Sequence, residues 1–525
     1  MKLKILFLYC SIIFLIPSIG VSQSSHSTKS KLKSSINWGV KYKNANDEYI
    51  RDIIYDDGIN IYAVVNTYKG KFVTPSLVKF DDKMTPVKRK EYFGDEGDVY
   101  LHGTFYLNGK FVIVTSKFDS QSKSKEFYAQ KFNTNLELEG KNTLLWSIPG
   151  KKGDDLDMSV NISEDSSKFY IAVLTEQQDI TSKQKYFFKI FDSDFNGLFE
   201  KKVEFDMRIM QIKIKDFLVS NKADFFVLTR SYNSSGLKDE VRSDNGKVPG
   251  YKFILTRYTK DGSVKKIELN YKNKFLNSVL INSERNGDIN IFFTYEDSYN
   301  DGIVGSNFMK LEANSVELKT INDYTFSKEL SEKIGNIQND KPSKKSNSLS
   351  NFFTVTDLHT VEDGSTYVIL EKNYQYDRDI WSEGMIVFKI NSTGEAKWCD
   401  YIPKCQIFGM AGTYWEYHTT FYLKNDLYIF YNDDPDNDQF DIATTNKRPK
   451  VLHNIKDISF VEIRFDEAGN VSRNVISNSK EMETAINTRL TKQLSPSRMV
   501  LCGLTMNGFG GNSQTKLGIL KFDSK

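Results

Sequence analysis

A short pattern recurs eight times along this chain of 525 residues. Each copy ends an apolar run with a basic residue and one further apolar residue, and a turn follows. The basic residues of the eight copies are Lys79, Lys131, Lys189, Arg257, Lys310, Lys389, Arg464 and Lys521. Self-similarity at a spacing of about 50 to 80 residues predicts a chain built from one repeated unit, as in a propeller or a solenoid.

Each copy stands third in a predicted unit of four strands. In the first unit the strands are Tyr49 to Tyr55, Asn60 to Thr67, Ser76 to Phe80 and Val87 to Phe93. Turns such as Asp57-Gly58 join the first strand to the second, because Gly accepts the positive φ of a tight hairpin. No long helical periodicity is visible, and the aromatic content of 13% suits pleated strands. The predicted fold class is therefore all-β.

The two ends of the chain complement each other. The eighth unit reaches Lys525 without a fourth strand, while Ser35 to Tyr42 precedes the first unit and belongs to none. Pairing this N-terminal strand with Gly518 to Phe522 would close a ring and protect its strand edges. We therefore expect a β-propeller of about eight four-stranded blades, closed by the N-terminal strand, as one domain over residues 35–525. A ring of seven blades is the alternative.

One segment interrupts the repeat. Residues 323–350 are rich in Ser, Lys and Asn and contain Pro342, a composition typical of loops. We expect a surface insertion between units five and six, with a helical part at Ser327 to Ile337.

Unit six resembles a known kind of repeat. Its segment from Met385 to Trp398 runs apolar, Lys389, apolar, Asn391, turn, Gly394, Trp398. This is similar to the strand-turn-strand core of secreted bacterial propeller repeats of the SBBP and PQQ-like kind. The Lys-, Asn- and Phe-rich composition is similar to that of secreted proteins of the Bacteroidota. The resemblance implies a propeller and export, and it assigns no activity.

The first residues have the pattern of an export signal. Lys2 and Lys4 precede an apolar run from Ile5 to Ile19, and the small residues Gly20 and Ser22 follow. We expect a cleaved signal peptide over residues 1–22, a flexible segment over 23–34, and a periplasmic or extracellular location. A membrane anchor is the alternative, but an apolar run of about 15 residues is short for a span. We expect no transmembrane segment in the mature chain.

Charge and cysteine content restrict the partners. The 71 Lys and Arg residues nearly balance the 68 Asp and Glu residues, so no basic stripe favours nucleic acid. Cys399 and Cys405 could pair across neighbouring strands, whereas Cys502 lies in an apolar strand and is expected to be a buried hydrophobe. We expect a monomer that binds no nucleic acid.

Loop lengths predict where recognition takes place. The connections between first and second and between third and fourth strands are short, and they share one face, here called the short-turn face. The opposite, long-loop face carries the longer connections Ser231 to Gly250, Glu296 to Ser306, Glu371 to Gly384 and Asn432 to Ile458. Long loops on a rigid scaffold usually carry binding residues. We expect this face to recognise a protein or a glycan through Trp381, Tyr376, Arg378, Tyr414 and Trp415.

Calcium is the one cofactor that the sequence raises. Asp192, Asp194, Asn196 and Glu200 place oxygen ligands at alternate positions around Gly197, as in a hard-cation loop. An ordinary hairpin turn is the alternative, because other units have similar turns there. A second acidic segment, Asp433 to Asp438, is a weaker candidate for the same ion.

Support for catalysis is thin. No nucleophile elbow, phosphate loop or dinucleotide glycine motif is present. His418 is the best candidate base for a propeller polysaccharide lyase, and His102 and His359 also fall in predicted inner strands. The sequence therefore favours a non-enzymatic extracytoplasmic binding or scaffold protein, with a polysaccharide lyase or hydrolase as the alternative.

Overall fold

The computed structural model describes residues 34–42, 48–69, 72–92, 99–151, 157–174, 182–233, 237–243, 246–312, 315, 317–338, 349–409, 417–442, 445, 447–454, 456–495, 497–505 and 514–522. The predicted signal peptide and nearly all of the segment after it therefore lie outside the described residues. No helix in the described ranges is long and apolar enough to span a membrane.

Eight antiparallel sheets form the blades, and in blades 1 to 7 the strands pair in the order of the sequence. Blade 1 contains Glu48–Asp56, Ile61–Lys69, Phe72–Phe80 and Pro86–Glu91; blade 2, Tyr100–Leu107, Lys110–Asp119, Ser124–Phe132 and Leu138–Pro149; blade 3, Met158–Ile162, Lys168–Leu174, Lys183–Asp192 and Gly197–Arg208; blade 4, Ile212–Val219, Phe225–Tyr232, Tyr251–Tyr258 and Val264–Leu269. Blade 5 contains Phe275–Ser283, Ile289–Glu296, Ile303–Leu311 and Leu318–Thr325; blade 6, Phe353–Thr360, Thr366–Tyr376, Asp379–Ile390 and Ala396–Gly409; blade 7, Thr419–Leu423, Asp426–Asp433, Ser459–Phe465 and Val471–Asn478. Blade 8 contains Ala485–Ile486 with Lys492–Ser495, then Arg498–Thr505, Gln514–Phe522 and Ser34–Tyr42.

The N-terminal strand closes the ring. Ser34–Tyr42 is the fourth strand of blade 8 and pairs antiparallel with Gln514–Phe522, with Ile36 opposite Leu520. On the other side of blade 8, Nε of Arg498 lies 3.2 Å from Oδ2 of Asp56 in blade 1. The fold is thus an eight-bladed β-propeller, and the predicted blade number and closing strand are confirmed.

The hydrophobic core is divided among the blade interfaces. Second strands are apolar on both faces, because each lies between two neighbouring blades: Phe225, Phe226, Val227 and Leu228 are all buried. Their side chains alternate between two clusters, so that Phe226 packs towards blade 5 and Phe225 packs towards blade 3. A continuous apolar run in a short strand is therefore the mark of a second strand here.

The repeated basic residue has a structural role. All eight copies lie in third strands. Arg257 is bonded through Nε to Oδ2 of Asp224 at 2.9 Å, and Arg464 through Nη2 to Oδ2 of Asp426 at 2.6 Å. Lys131 instead reaches Oδ1 of Asp194 in the next blade, at 2.9 Å. Since these acids lie in or beside short turns, the motif ties the third strand to the short-turn face.

A few further elements complete the fold. They are the α-helices Lys328–Gln338 and Ser479–Met482, the 3-10 helices Ile209–Gln211 and Pro435–Asn437, and a hairpin of Glu240–Ser243 with Gly246–Pro249. Lys328–Gln338 follows blade 5 and buries Leu330, Ile334 and Ile337 against blades 5 and 6. Residues 339–348 lie outside the described part of the chain.

Two local expectations need correction. Residues Glu371 to Gly384 were expected to form a long loop, but they continue two strands to a tight turn. Cys399 and Cys405 do not form a disulfide, since both lie in the single strand Ala396–Gly409 and both thiols are free. Cys502 is buried within its strand, where burial raises the pKa of its thiol to about 12.

Candidate functional site

Blade 6 projects from the long-loop face as a three-stranded sheet. Its second, third and fourth strands have 11, 12 and 14 residues, and pairing continues to Tyr376 opposite Asp379 and Asp379 opposite Gly409. The turn is closed by Asp377, which has a φ of 55°. We call Glu371–Gly384 together with Lys404–Gly409 the blade 6 extension. It is the feature that most distinguishes this face from a regular propeller surface.

Aromatic side chains form a row along this extension. The ring centroids of Phe352 and Tyr374 lie 5.2 Å apart, and those of Tyr374 and Trp381 lie 6.0 Å apart with their planes 10° from parallel. The guanidinium of Arg448 lies 5.8 Å from the centroid of Trp381. Phe352 is 49% exposed, and Tyr376 at the turn is 70% exposed. The row therefore joins a packed base to an exposed aromatic end.

A fully buried carboxylate lies at the base of the blade 6 extension. Glu371 forms an ion pair with Lys404, accepts a hydrogen bond from Oγ of Ser382 at 2.9 Å, and lies 3.2 Å from Nδ1 of His418. Burial alone would raise the pKa of Glu371, but the neighbouring Lys404 and His418 hold that pKa well below its usual range. Glu371 is thus a buried anion held by two strands of blade 6 and by blade 7.

A second buried carboxylate holds the extension from both sides. Glu383 is 3.1 Å from Nζ of Lys372 and also forms an ion pair with Arg448, which comes from the long connection of blade 7. Lys372 donates to Oε1 of Gln338, the last residue of the insertion helix, at 3.0 Å. Gln338 in turn donates to the hydroxyl of Tyr401 at 3.0 Å. The extension is therefore tethered to the helix on one side and to blade 7 on the other.

The connection of blade 7 also forms backbone hydrogen bonds with the extension. The amide of Leu452 donates to the carbonyl of Cys405 at 3.0 Å, and the amide of Ile407 donates to the carbonyl of Leu452 at 3.1 Å. Burial raises the pKa of Cys405 to about 11, so its thiol is protonated at neutral pH. These contacts restrict the motion of the extension relative to the ring.

A β-bulge at Gly384 sets the path of the extension. The pairing register shifts between Glu383 and Met385, and Gly384 has a φ of 62°. A Cβ atom at Gly384 would lie 2.5 Å from Cε2 of Tyr401. Glycine is required here for two reasons, the left-handed backbone and the close approach of the Tyr401 ring.

The sequence-predicted binding residues fall into two groups. Trp381, Tyr376 and Arg378 all lie in the blade 6 extension, with Tyr376 and Arg378 exposed at its turn. Within the described ranges, Nε1 of Trp381 is buried without a hydrogen-bond partner. Tyr414 and Trp415 lie outside the described residues.

The predicted catalytic candidate does not stand at an open site. The side chain of His418 is 6% exposed and lies against Glu371. In blade 2, Nε2 of His102 is 2.6 Å from Oγ of Ser116, and burial lowers the pKa of this imidazole to about 4. The ring of His359 stacks on Tyr422 at 4.0 Å. The three rings lie in three different blades, each with contacts of its own.

The proposed calcium residues form an ordinary turn. Both carboxylate oxygens of Asp192 accept hydrogen bonds from Asn196, through its backbone amide at 2.9 Å and its side chain at 2.9 Å. Glu200 is bound by Lys189 and by the indole of Trp146. Asp194 is paired with Lys131. Several of these oxygens are thus bound by protein partners, and the described residues contain no group of three or more His, Cys, Asp or Glu able to hold a metal.

The second acidic segment also binds to neighbouring protein groups. Asp433 is buried and lies 2.9 Å from Nη2 of Arg473, and it accepts from Nδ2 of Asn437 at 2.8 Å. Asp436 is paired with Lys450. These contacts stabilise the start of the blade 7 connection.

Sequence reasoning missed the buried charges. Glu371 ends the buried run Tyr367–Leu370, and Glu383 begins the run that continues through Met385–Phe388. A carboxylate at the end of a run buried on both faces was the available signal. The partners of the two carboxylates are Lys404 for Glu371 and Arg448 for Glu383. They could not be assigned from the sequence, because they come from distant positions in the chain.

Comparison with known proteins identifies no family for this chain. No protein-family model matches the chain, and no curated protein matches its sequence. Among solved structures, the chain is similar to the WD40 domain of SCAP from fission yeast, with 9% identity, a TM-score of 0.39, and coverage of 94% of this chain and 98% of that one. It is similar to the β-propeller domain of the Trilobed protease from Pyrococcus furiosus, with 12% identity, a TM-score of 0.34, and coverage of 73% and 90%. It is also similar to a protein of unknown function from Dyadobacter fermentans, with 8% identity, a TM-score of 0.33, and coverage of 91% and 100%. Because all three TM-scores are low, the fold assignment rests on the strand pairing of this chain itself.

Proposed function

We propose that this chain is an exported, non-enzymatic binding module that recognises a protein partner through the blade 6 extension, with a glycan as the alternative ligand. The observation that carries the proposal is the aromatic row on an extension that two buried ion-paired carboxylates hold. Its exposed end presents Phe352, Tyr376 and Arg378. Aromatic and Arg side chains on a rigid support are the residues that dominate protein interfaces.

The packing of the row favours a protein over a glycan. The faces of Tyr374 and Trp381 are turned towards each other, and Arg448 lies over the indole. What the row offers to solvent is therefore the outer side of Phe352 and the side chain of Tyr376. A partner that buries these exposed side chains would remove their apolar surface from water.

Rigidity supports the same conclusion. Ordering a loop on binding costs free energy, whereas a preorganised surface avoids that cost. Glu371 and Glu383 fix the extension to blade 7 and to the insertion helix. Export is proposed from the leader pattern of residues 1–22 and from the resemblance of unit six to secreted propeller repeats.

The proposal is tested by comparing two matched surface variants. A triple variant, Phe352→Ser, Tyr376→Ser and Arg378→Ala, removes the exposed end of the row. The control Ile59→Ser changes a side chain that is 68% exposed in a short turn of blade 1, on the opposite face. Each purified protein is cross-linked to extracellular and envelope proteins of its source and is probed on a glycan array.

We expect a protein cross-linked at the blade 6 extension, retained by Ile59→Ser and lost by the triple variant. Retention by both variants would contradict a role for the extension. Binding to a glycan that only the triple variant loses would replace the protein partner by the glycan alternative. The lyase or hydrolase alternative would need His418 to reach a substrate, and its buried contact with Glu371 gives that alternative no support.

A further inference from the structure

A polar cavity lies between the inner strands of blades 3 and 4. Its volume is about 490 Å³, within the range of small-ligand sites. The polar side chains that line it are Asp157, Ser159, Gln184, Lys213, Lys215 and Asp216. Asp157 precedes the first strand of blade 3 and Ile212 begins that of blade 4, so the cavity lies at the long-loop end of the ring. It is separate from the blade 6 extension.

A β-bulge directs charge to this cavity. The register of the first strand of blade 4 shifts between Ile214 and Asp216, which leaves Lys215 as the additional residue. Bulges change the direction of a side chain beside the site that uses it. Burial, together with Arg230 and Lys213, lowers the pKa of Lys215. Within the described ranges neither Lys213 nor Lys215 forms an ion pair, although Asp157 and Asp216 line the same cavity, and the ammonium group of Lys213 acts on that of Lys215.

Comparison among the blades shows that Asp216 lacks a partner that its equivalents have. Asp52, Asp216 and Asp357 occupy the same position, directly after the inner-strand bulge. Asp52 is bonded to Nζ of Lys492 at 2.5 Å. Asp357 accepts from the hydroxyls of Thr420 and Tyr422, each at 2.9 Å. In these two blades the carboxylate is therefore satisfied by a neighbouring blade.

In blade 4 the same carboxylate faces the cavity instead. Oδ1 of Asp216 accepts from the amide of Phe217 at 2.8 Å, and in the described part of the chain Oδ2 has no partner. Burial raises the pKa of Asp216 to about 6. A hydroxyl group of a ligand can donate a hydrogen bond to the free oxygen of this carboxyl group, and that bond would stabilise the complex.

We propose that this cavity binds a sugar that carries one anionic group, either a carboxylate or a phosphate. Lys213 and Lys215 bind the anionic group, because its negative charge relieves the repulsion between the two ammonium groups. The hydroxyl groups of the sugar bind to the carboxylate of Asp216, the side-chain amide of Gln184 and the hydroxyl of Ser159. The proposal does not depend on the protein partner of the blade 6 extension.

The test uses the purified full chain and five probes: D-glucuronate, D-glucose 6-phosphate, D-glucose, acetate and inorganic phosphate. Binding is measured by isothermal titration calorimetry and by ligand-observed NMR. We expect one of the two anionic sugars to bind at least tenfold more tightly than glucose, acetate or phosphate. The tighter of the two identifies the anionic group.

Variants locate the site. Lys213→Met and Lys215→Met should each weaken binding by tenfold or more, and Asp216→Asn should weaken it severalfold. Lys266→Met, with the same loss of charge on the outer strand of blade 4, should bind as the parent does. The proposal is overturned if glucose, acetate or phosphate binds as tightly as the anionic sugars, or if neither anionic sugar binds. It is also overturned if Lys266→Met weakens binding as much as Lys213→Met and Lys215→Met do. None of these outcomes bears on the blade 6 extension, whose variants are scored separately.

Discussion

Nδ1 of His418 lies 3.2 Å from Oε2 of Glu371, and this contact joins the start of blade 7 to the second strand of blade 6. Glu371 is at the same time paired with Lys404, so one buried carboxylate is shared by Lys404 and His418. His418, the candidate base of the sequence analysis, is thus a buried partner of Glu371 in the structure. The contact fixes the base of the blade 6 extension, and its energetic importance can be measured.

Replacing Glu371 by Gln should destabilise the protein strongly. The substitution leaves Lys404 buried without its counter-ion, and breaking a buried pair in this way costs about 3–5 kcal/mol. Urea unfolding at neutral pH gives the free energy of unfolding of parent and variant. Asp206→Asn is the control, because Asp206 forms an ion pair with Lys183 at a site that is 99% exposed, where the expected loss is below about 1 kcal/mol. Equal losses of unfolding free energy in the two variants would show that the buried ion pair contributes no more to stability than the exposed one.

His102 should make stability depend on pH in the weakly acidic range. Burial lowers the pKa of its imidazole from 6.5 to about 4, so between these values the unfolded chain binds a proton that the folded chain does not. Stability should therefore fall as the pH falls from about 6.5 to 4, by about 2–3 kcal/mol from this group.

His102→Gln should remove that part of the pH dependence, because Gln does not titrate and can still bond to Ser116. Denaturant unfolding of parent and variant at pH 7 and pH 4.5 gives the difference. The prediction fails if the two proteins lose the same free energy between the two pH values.

Gly384→Ala should distort the bulge of the blade 6 extension. The new Cβ meets the Tyr401 ring and the backbone is left-handed, so the expected loss is about 1–3 kcal/mol or more. Gly109→Ala is the matched control, because Gly109 has a φ of 78° and open space around its Cβ position. The excess loss in Gly384→Ala measures the clash alone. Identical losses would mean that Tyr401 moves aside freely.

Gly518→Ala should loosen the closing strand of the ring. A Cβ at Gly518 would lie 2.7 Å from Cε3 of Trp38, which is the residue opposite Gly518 in the N-terminal strand. We expect faster amide hydrogen exchange in Ser34–Tyr42 and a loss of about 1–3 kcal/mol. Adding Trp38→Ala should recover part of the loss, because the two residues are in direct contact. Strict additivity would argue against the clash.

The sequence by itself determined the repeated unit, the all-β class and the closing strand. Strand alternation, Gly-containing turns and the recurring basic residue are local properties, and they recur eight times. Repetition averages out local ambiguity, which is why the third-strand position of each copy and the pairing of Ser34–Tyr42 with Gln514–Phe522 could be predicted. It also placed Trp381, Tyr376 and Arg378 together on one face.

Only the tertiary structure decided what the polar residues do. Glu371, Lys404 and His418 are brought together by strand pairing and by the packing of two blades, and no local pattern specifies such contacts. The extension of blade 6 could not be predicted from the sequence, because a hairpin that continues past the ring has loop-like composition at its end. Likewise, Asp216 differs from Asp52 and Asp357 only in what the neighbouring blade offers it. Local propensities fix strands and turns, whereas burial and partnership of charges depend on residues distant in sequence.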